Sequence, residues 1–263
     1  MDDAWLYRTS NALPDKRIFR LGLAANYGID EDGVRAAMDR GVNLFLWTFR
    51  GKKGLGSPLR DALAGRRDKV AVAGFASLGW FGWGARRGAE KLLRELGTDY
   101  LDVYMLGWLG VGSAWTSATE REILHLRESG KVRAIGVSIH DRPRAGELAA
   151  SSPLDLLMIR YNAAHPGAER DIFPKKRPDK PSILAYTATA WRRLLKRPKG
   201  WDGPVMSAGD CYRFQLSSPH VDFALTGPAS RAELEQNLDA IAKGPLSEDE
   251  QKWMREFGQA VHG

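Results

Sequence analysis

Gly130-Lys131-Val132-Arg133-Ala134-Ile135-Gly136-Val137-Ser138 decides the fold of this chain. A turn glycine ends a helical stretch, and the apolar run Val132, Ala134, Ile135 and Val137 follows it, which reads as a buried strand entered from a helix. The same unit recurs on both sides, as Tyr100–Leu106 upstream and Leu154–Ile159 downstream. Three parallel strands separated by helices therefore stand at the centre of an α/β fold. Such sheets and barrels gather ligands at the carboxyl ends of their strands. Here those ends read Leu106-Gly107-Trp108, Ser138-Ile139-His140 and Arg160-Tyr161-Asn162.

Working outward, Tyr7–Leu13 and Arg17–Ala24 are able to pair as a hairpin, and Phe19–Ala24 is the better first strand. Ile29-Asp30-Glu31-Asp32 supplies an N-cap and an acidic first turn for a helix that runs to about Arg40, and Val42–Trp47 is the second strand. Thr48–Ser57 reads as a glycine-rich loop, with a short helix from Pro58 to Ala64. Lys69–Phe75 is the third strand, followed by an aromatic loop and a basic helix to Leu96. Helices at Thr116–Glu128 and Arg142–Ala150 flank the central strand. Ala168–Phe173 is a short helix, Ser182–Tyr186 the seventh strand, Ala208–Leu216 a helix and Val221–Thr226 the eighth strand. Ser230–Ala242 and Ser247–Val261 close the chain as helices. Eight such units without a linker-like shift predict one (β/α)8 TIM barrel over residues 1–263, with a hairpin-like N-terminal lead-in and an extra C-terminal helix.

With 263 residues, 43% of them hydrophobic, the chain has material for one large core. A net charge of +7 favours anionic ligands such as cofactor phosphates or nucleic acid. No nucleic-acid module is recognisable and the basic residues are dispersed, so a small-molecule ligand is the expected partner. The single Cys211 excludes an internal disulfide and suits a reducing, cytoplasmic compartment. The opening residues do not form a targeting segment, and no apolar run approaches the roughly 18 residues of a membrane helix. No cluster of His, Asp or Glu has metal-ligand spacing.

The stretches Gly41-Val42-Asn43-Leu44-Phe45, Leu96-Gly97-Thr98-Asp99-Tyr100-Leu101-Asp102-Val103-Tyr104, Gly130–Ser138, Arg160-Tyr161-Asn162 and Gly227-Pro228-Ala229-Ser230 together resemble the aldo-keto reductase family. The resemblance implies NADP(H) at the carboxyl face of the barrel and carbonyl reduction through an Asp, Tyr, Lys and His tetrad. In that tetrad the tyrosine is the acid and the lysine lowers its pKa. It also implies divergence, because the aspartate position is Leu46, the lysine position Phe75 and the histidine position Gly107. The tyrosine position falls at Gly51-Lys52, with no tyrosine nearby. Groups that work as a unit fail together, so ordinary carbonyl reduction is not expected.

On the cofactor side, the resemblance matches Ser138 to the serine that holds the nicotinamide carboxamide, although Ile139 and Met158 replace the usual Asn and Gln. Tyr186 lies where an aromatic ring stacks on the nicotinamide. Gly227, Ser230, Arg231, Glu235 and Asn237 match the segment that grips the 2′-phosphate and adenine at a helix N-terminus. Ser230-Arg231-Ala232-Glu233 also reads as a plain capping box. The basic run Arg192–Lys199 either covers the pyrophosphate or is a solvated face.

Trp47, Phe75, Trp80 and Trp108, with Phe81, Trp83 and Trp115, form an aromatic wall near the mouth. It lines a pocket for a flat or apolar ligand, or it fills space that a polar site would occupy. His140 is the best remaining acid or base, with Lys52 second and Arg50 and Lys53 adding positive charge. His165 and Arg160 stand near the end of the sixth strand. Three functions stay open: an NADP(H)-binding barrel without ordinary reductase chemistry, acting as a redox sensor or running a different reaction; an active oxidoreductase with a non-standard proton donor; or a non-enzymatic ligand- or partner-binding barrel.

Overall fold

Short apolar strands that alternate with amphipathic helices bury both strand faces only when the sheet closes on itself inside a ring of helices. The computed structural model describes residues 3–48, 52–77, 84–109 and 115–262. In chain order it contains α1 (Asp3–Leu6), β1 (Tyr7–Ser10), β2 (Leu13–Phe19), β3 (Leu21–Ala24), α2 (Glu31–Asp39), β4 (Leu44–Trp47), α3 (Lys52–Arg66), β5 (Ala71–Ser77), α4 (Ala85–Leu96) and β6 (Leu101–Leu109). There follow α5 (Ser117–Glu128), β7 (Val132–Ile139), α6 (Arg142–Ser151), β8 (Leu156–Arg160), α7 (Ala168–Asp171), β9 (Ser182–Tyr186), α8 (Ala208–Ser217), β10 (Phe223–Thr226), α9 (Arg231–Ile241) and α10 (Glu248–His262).

Strands β3 to β10 pair in parallel as a closed eight-stranded barrel, with β10 returning to β3. Strand alternation sorts the side chains into two cores. Leu44 and Leu46, Ala71 and Ala73 with Phe75, Val103 and Met105, Leu156 and Met158, and Phe223 and Leu225 point inward. Phe45, Trp47, Val72, Tyr104, Ile135, Val137, Leu157 and Ile183 face the helices.

The hairpin β1–β2 seals the amino end of the barrel. Ala12, Leu13 and Ile18 join the inner core. Lys16 Nζ donates to Asp102 at 2.6 Å, to the Arg67 carbonyl at 2.9 Å and to the Val70 carbonyl at 2.5 Å. A buried charge satisfied on this many sides ties the plug to β6. The hairpin thereby closes the amino end of the barrel interior.

The sequence expectations hold for all eight barrel strands and for the extra helix after α9. The hairpin pairs Tyr7–Ser10 with Leu13–Phe19 instead of Tyr7–Leu13 with Arg17–Ala24, because Leu21–Ala24 is taken up as a barrel strand, and several other bounds differ. The loop expected over Thr48–Ser57 is helical from Lys52, so Pro58 sits inside α3 instead of opening it. Leu55 and Leu59 are buried on the core side of that helix, and Gly54 lets its first turn lie against the Ile29 carbonyl, where a Cβ would collide. Hydrophobic burial outweighs the turn propensity of the glycines here. Strand β6 continues to Leu109 and carries Trp108, and a separate helical turn, α1, precedes the hairpin.

Candidate functional site

At the carboxyl end, the innermost layer of side chains is mostly apolar. Ala24, Leu46, Phe75, Met158 and Leu225 all belong to the inner core, with Tyr186 packed against them. Leu46 and Phe75 are buried. At Gly107 a Cβ would run into the Phe75 ring, so that ring occupies the space in front of β6. Trp108, half exposed, lies beside Phe75 with ring centroids 5.1 Å apart. One wall of the mouth is therefore aromatic and carries no titratable group from these positions.

The opposite wall, at the ends of β7, β8 and β9, is polar. Tyr186 Oη lies 3.0 Å from each ring nitrogen of His140, so the pair shares a hydrogen bond in either tautomer. Burial pushes the Tyr186 phenol up to about 12, opposed by the Ser138 hydroxyl and the Arg160 charge. Burial, and then the Arg160 charge, hold His140 below the usual imidazole value. Ser138 is fully buried and its Oγ has no hydrogen-bond partner. Behind Tyr186, Gln215 Nε2 donates to the Tyr161 carbonyl at 2.6 Å while its Oε1 is left unpaired. Asn162 Nδ2 donates to the Thr187 carbonyl at 2.7 Å and fixes the end of β9. Unpaired buried polar atoms are uncommon in folded proteins, and two of them bracket Tyr186.

Beside this wall, between β9, β10 and β3, a cavity of about 640 Å³ opens, a size typical of small-molecule sites. Leu46, Met158 and Tyr186 reach it from the barrel, Tyr27, Gly227, Glu233 and Asn237 from one side, and Thr187–Thr189, Trp191 and Arg192 from the other. Tyr27 is 67% exposed and covers Gly227, where a Cβ would run into its ring. Asn237 Nδ2 donates to Thr226 Oγ1 at 3.2 Å, and that hydroxyl donates to Tyr212 at 3.0 Å. The segment after β9 is shaped by left-handed residues, Thr187 at φ 59, Ala190 at 48, Trp191 at 55 and Arg192 at 68. Left-handed backbone at four non-glycine residues costs free energy and is held here by the surroundings. It leaves Trp191 59% exposed, with Arg160 over its ring at 5.7 Å.

The structure brings together Tyr186, Gly227 and Asn237 on the cavity, with Ser138 next to Tyr186. It does not bring Ser230, Arg231 or Glu235 there. Ser230 Oγ accepts from the Glu233 amide at 3.2 Å, and Glu233 Oε2 accepts from the Ala229 amide at 2.9 Å, so this stretch caps α9. Arg231 pairs with Glu235 at 2.7 Å one turn along the helix surface. Of the run Arg192–Lys199, Arg192 reaches the cavity, opposite Glu233 at 3.9 Å. Arg193 and Arg197 donate instead to the backbone carbonyls of Val261, Trp201 and Gly203.

Trp47 does not line the mouth. It is an outward residue of β4 and its Nε1 donates to Glu95 of α4 at 3.2 Å. Trp115 packs on the outer core. Trp80, Phe81, Trp83, Arg50 and Gly51 lie outside the described residues, as does the side chain of Lys52. His165 lies against Trp191 and His262, and burial and then Arg160 push it down to about 4. Tyr27 and Trp191 have no motif of their own in the sequence, and Glu233 is legible only as part of the capping box. Their only signal as cavity residues is proximity to strand ends, at Ala24, Tyr186 and Thr226.

Comparison with known proteins matches residues 83–198 to the Aldo/keto reductase family. An aldo-keto reductase of Bacillus subtilis is 28% identical over 179 residues, which is 60% of this chain and 53% of that protein. The NADH-specific methylglyoxal reductase of Escherichia coli is 29% identical over 97 residues, 36% of this chain and 30% of that protein. The matches thus span about half or less of these curated relatives. Among solved structures, an aldo-keto reductase from Bacillus halodurans in its holo form superposes with a TM-score of 0.76 at 20% identity, covering 97% of this chain and 96% of that one. One from Klebsiella pneumoniae in complex with NADPH gives 0.75 at 23% identity, covering 92% of each. These likenesses establish the shared barrel.

Proposed function

We propose, since the chain belongs to the aldo-keto reductase family, that it binds NADP(H) in the cavity between β9, β10 and β3 and does not reduce carbonyls through the family's tetrad. The residues present fit such a ligand. The cavity is large enough, its lining offers Thr187, Thr189, Ser207, Gln236 and Asn237 as polar side chains, and Arg192 puts a cation on its wall. Ser138 and Tyr186 stand at the nicotinamide end. Tyr27, Gly227, Asn237 and Arg192 stand at the adenine and phosphate end. When bound, the group supplies or accepts a hydride at the mouth.

The observation that carries the second half of the proposal is the apolar inner layer. Leu46 and Phe75 occupy the inward positions of β4 and β5, and the Phe75 ring fills the space before Gly107. A proton cannot come from these side chains, and proton transfer needs a titratable donor within hydrogen-bond reach. Among the described residues, the titratable donors Tyr186 and His140 stand on the polar wall.

Titration of the purified protein with NADPH, read by quenching of its nine tryptophans, tests the first half. Saturable quenching in the micromolar range is expected. Absence of binding at millimolar NADPH refutes it and points to a non-enzymatic barrel. For the second half, Lys52→Ala, at the tetrad's tyrosine position, is expected to leave any turnover within a few-fold of wild type, and a loss of about 100-fold or more would return proton transfer to a tetrad position.

A further inference from the structure

The apolar and polar walls of the mouth divide the chemistry between them, and the polar wall holds a hydrogen-bonded phenol and imidazole. We propose that Tyr186 is the proton donor of this mouth and that His140 restores its proton, making the pair an acid–base dyad for a carbonyl or alcohol substrate held against Phe75 and Trp108. The proposal rests on the NADP(H) reading. It places catalysis on β7 and β9 instead of β4, β5 and β6.

Four observations converge on the dyad. Tyr186 packs against the inner layer and forms part of the cavity lining. Its hydroxyl is 3.0 Å from both ring nitrogens of His140. His140 is exposed, which gives the imidazole direct exchange with solvent protons. The Ser138 hydroxyl is buried beside Tyr186, where it favours the ionised phenol that proton donation leaves behind. On the facing wall, Phe75 and Trp108 offer only apolar contact. A substrate oxygen placed in this mouth therefore turns toward Tyr186.

In the reducing direction the substrate oxygen takes the proton as the Tyr186 O–H bond breaks, while the carbonyl carbon receives the hydride of a reduced nicotinamide. The tyrosinate oxygen then takes a proton from the His140 imidazolium, and solvent reprotonates the imidazole. In the oxidising direction neutral His140 accepts the Tyr186 proton, and the tyrosinate accepts that of the alcohol. The net change is uptake or release of one proton with each hydride. Among the described residues, the charged and titratable groups bearing on His140 are Arg160, from β8, and Tyr186, from β9. Arg160 and burial both disfavour the imidazolium. Reduction is therefore fastest below the His140 pKa and falls as pH rises through it. Oxidation runs the other way.

The experiment combines three measurements on wild type, Tyr186→Phe, His140→Asn and His140→Gln. NADPH titration comes first, because Phe keeps the ring and the His140 variants lie outside the cavity lining; affinities within about threefold of wild type are expected. Nuclear magnetic resonance of the cofactor-free protein then gives the pKa of His140, identified by the signal absent in His140→Asn. Last, kcat/KM is measured against pH over a panel of aldehydes and ketones. We expect kcat/KM for reduction to fall through the pKa found by resonance, a loss of about 100-fold or more in Tyr186→Phe, and loss of that limb in both His140 variants. A wild type that binds NADPH but turns over no carbonyl overturns the dyad and leaves cofactor binding standing. So does a pH profile that the substitutions do not change. Failure to bind NADPH in the wild type overturns both readings.

Discussion

At the scale of single residues, charge placement around the cavity distinguishes a working phosphate site from a helix cap. Arg231 looks like the phosphate ligand in sequence but is paired to Glu235, whereas Arg192 and Glu233 face each other across the cavity at 3.9 Å. A cofactor phosphate entering there competes with Glu233 for Arg192. At separations of 4–7 Å in a solvent-exposed setting, one unit charge is worth about 0.5–1 kcal/mol. Glu233→Gln should therefore tighten NADPH binding by about two- to fivefold, and Arg192→Ala should weaken it by a similar factor with a shallower salt dependence. Arg231→Ala should leave it unchanged, and a large loss from Arg231→Ala in calorimetric titration would return the phosphate to the helix cap. Tyr186 and His140 were each visible as strand-end residues, but their hydrogen bond was not. They come from strands separated by β8, and such a contact has no local signature in sequence. Trp47 shows the reverse failure, because a residue at a strand end faces in or out according to register, and only the closed barrel fixes that parity.

At the scale of elements, the mouth depends on how β5 and β6 share one ring. Phe75 occupies the volume that any side chain at Gly107 would need. Gly107→Ala alone should destabilise the protein by about 1–3 kcal/mol through overpacking. Phe75→Ala should cost about 3–5 kcal/mol by leaving a cavity. In the Phe75→Ala background the added methyl has room, so the two effects should fall short of additive by at least about 1 kcal/mol in denaturant titration. Strict additivity would mean that the ring does not fill that space. The final helix offers a pH test. Arg213 holds Glu250 at 2.6 and 3.1 Å, and Arg255 of α10 holds Glu169 at 2.8 and 3.1 Å. Hydrogen bonding from Arg213 lowers the Glu250 carboxyl; burial works against the charge on Glu169, yet hydrogen bonds from Arg255 and Tyr161 leave it lowered too. Carboxyls lowered on folding stabilise the fold fully above the ordinary value near 4.5 and lose that contribution as pH falls through the folded value. Amide exchange across α10 should accelerate below about pH 4.5 before the barrel strands open, and Glu250→Gln should reproduce part of that release at neutral pH.

At the scale of the whole molecule, the barrel was legible because strand periodicity and helix caps repeat eight times, and each repeat can be read locally. Asp30, Thr116, Asp141, Ser207 and Ser230 cap their helices with their own side chains, as their types imply. The cavity was less legible, because it is assembled from the ends of β9, β10 and β3, which closure alone makes neighbours. Its outer rim depends on left-handed backbone at Ala190, Trp191 and Arg192, where no glycine announces the turn. The barrel interior is closed at one end by the hairpin and the Lys16–Asp102 pair, and the proposed cofactor site lies at the other end. The most direct test of that claim is amide hydrogen exchange with and without saturating NADPH. Protection is expected over residues 187–192 and 227–233, with no change over the hairpin residues 11–16. NADPH binding that leaves both mouth segments unprotected, or that protects the hairpin instead, would contradict the site proposed for this barrel.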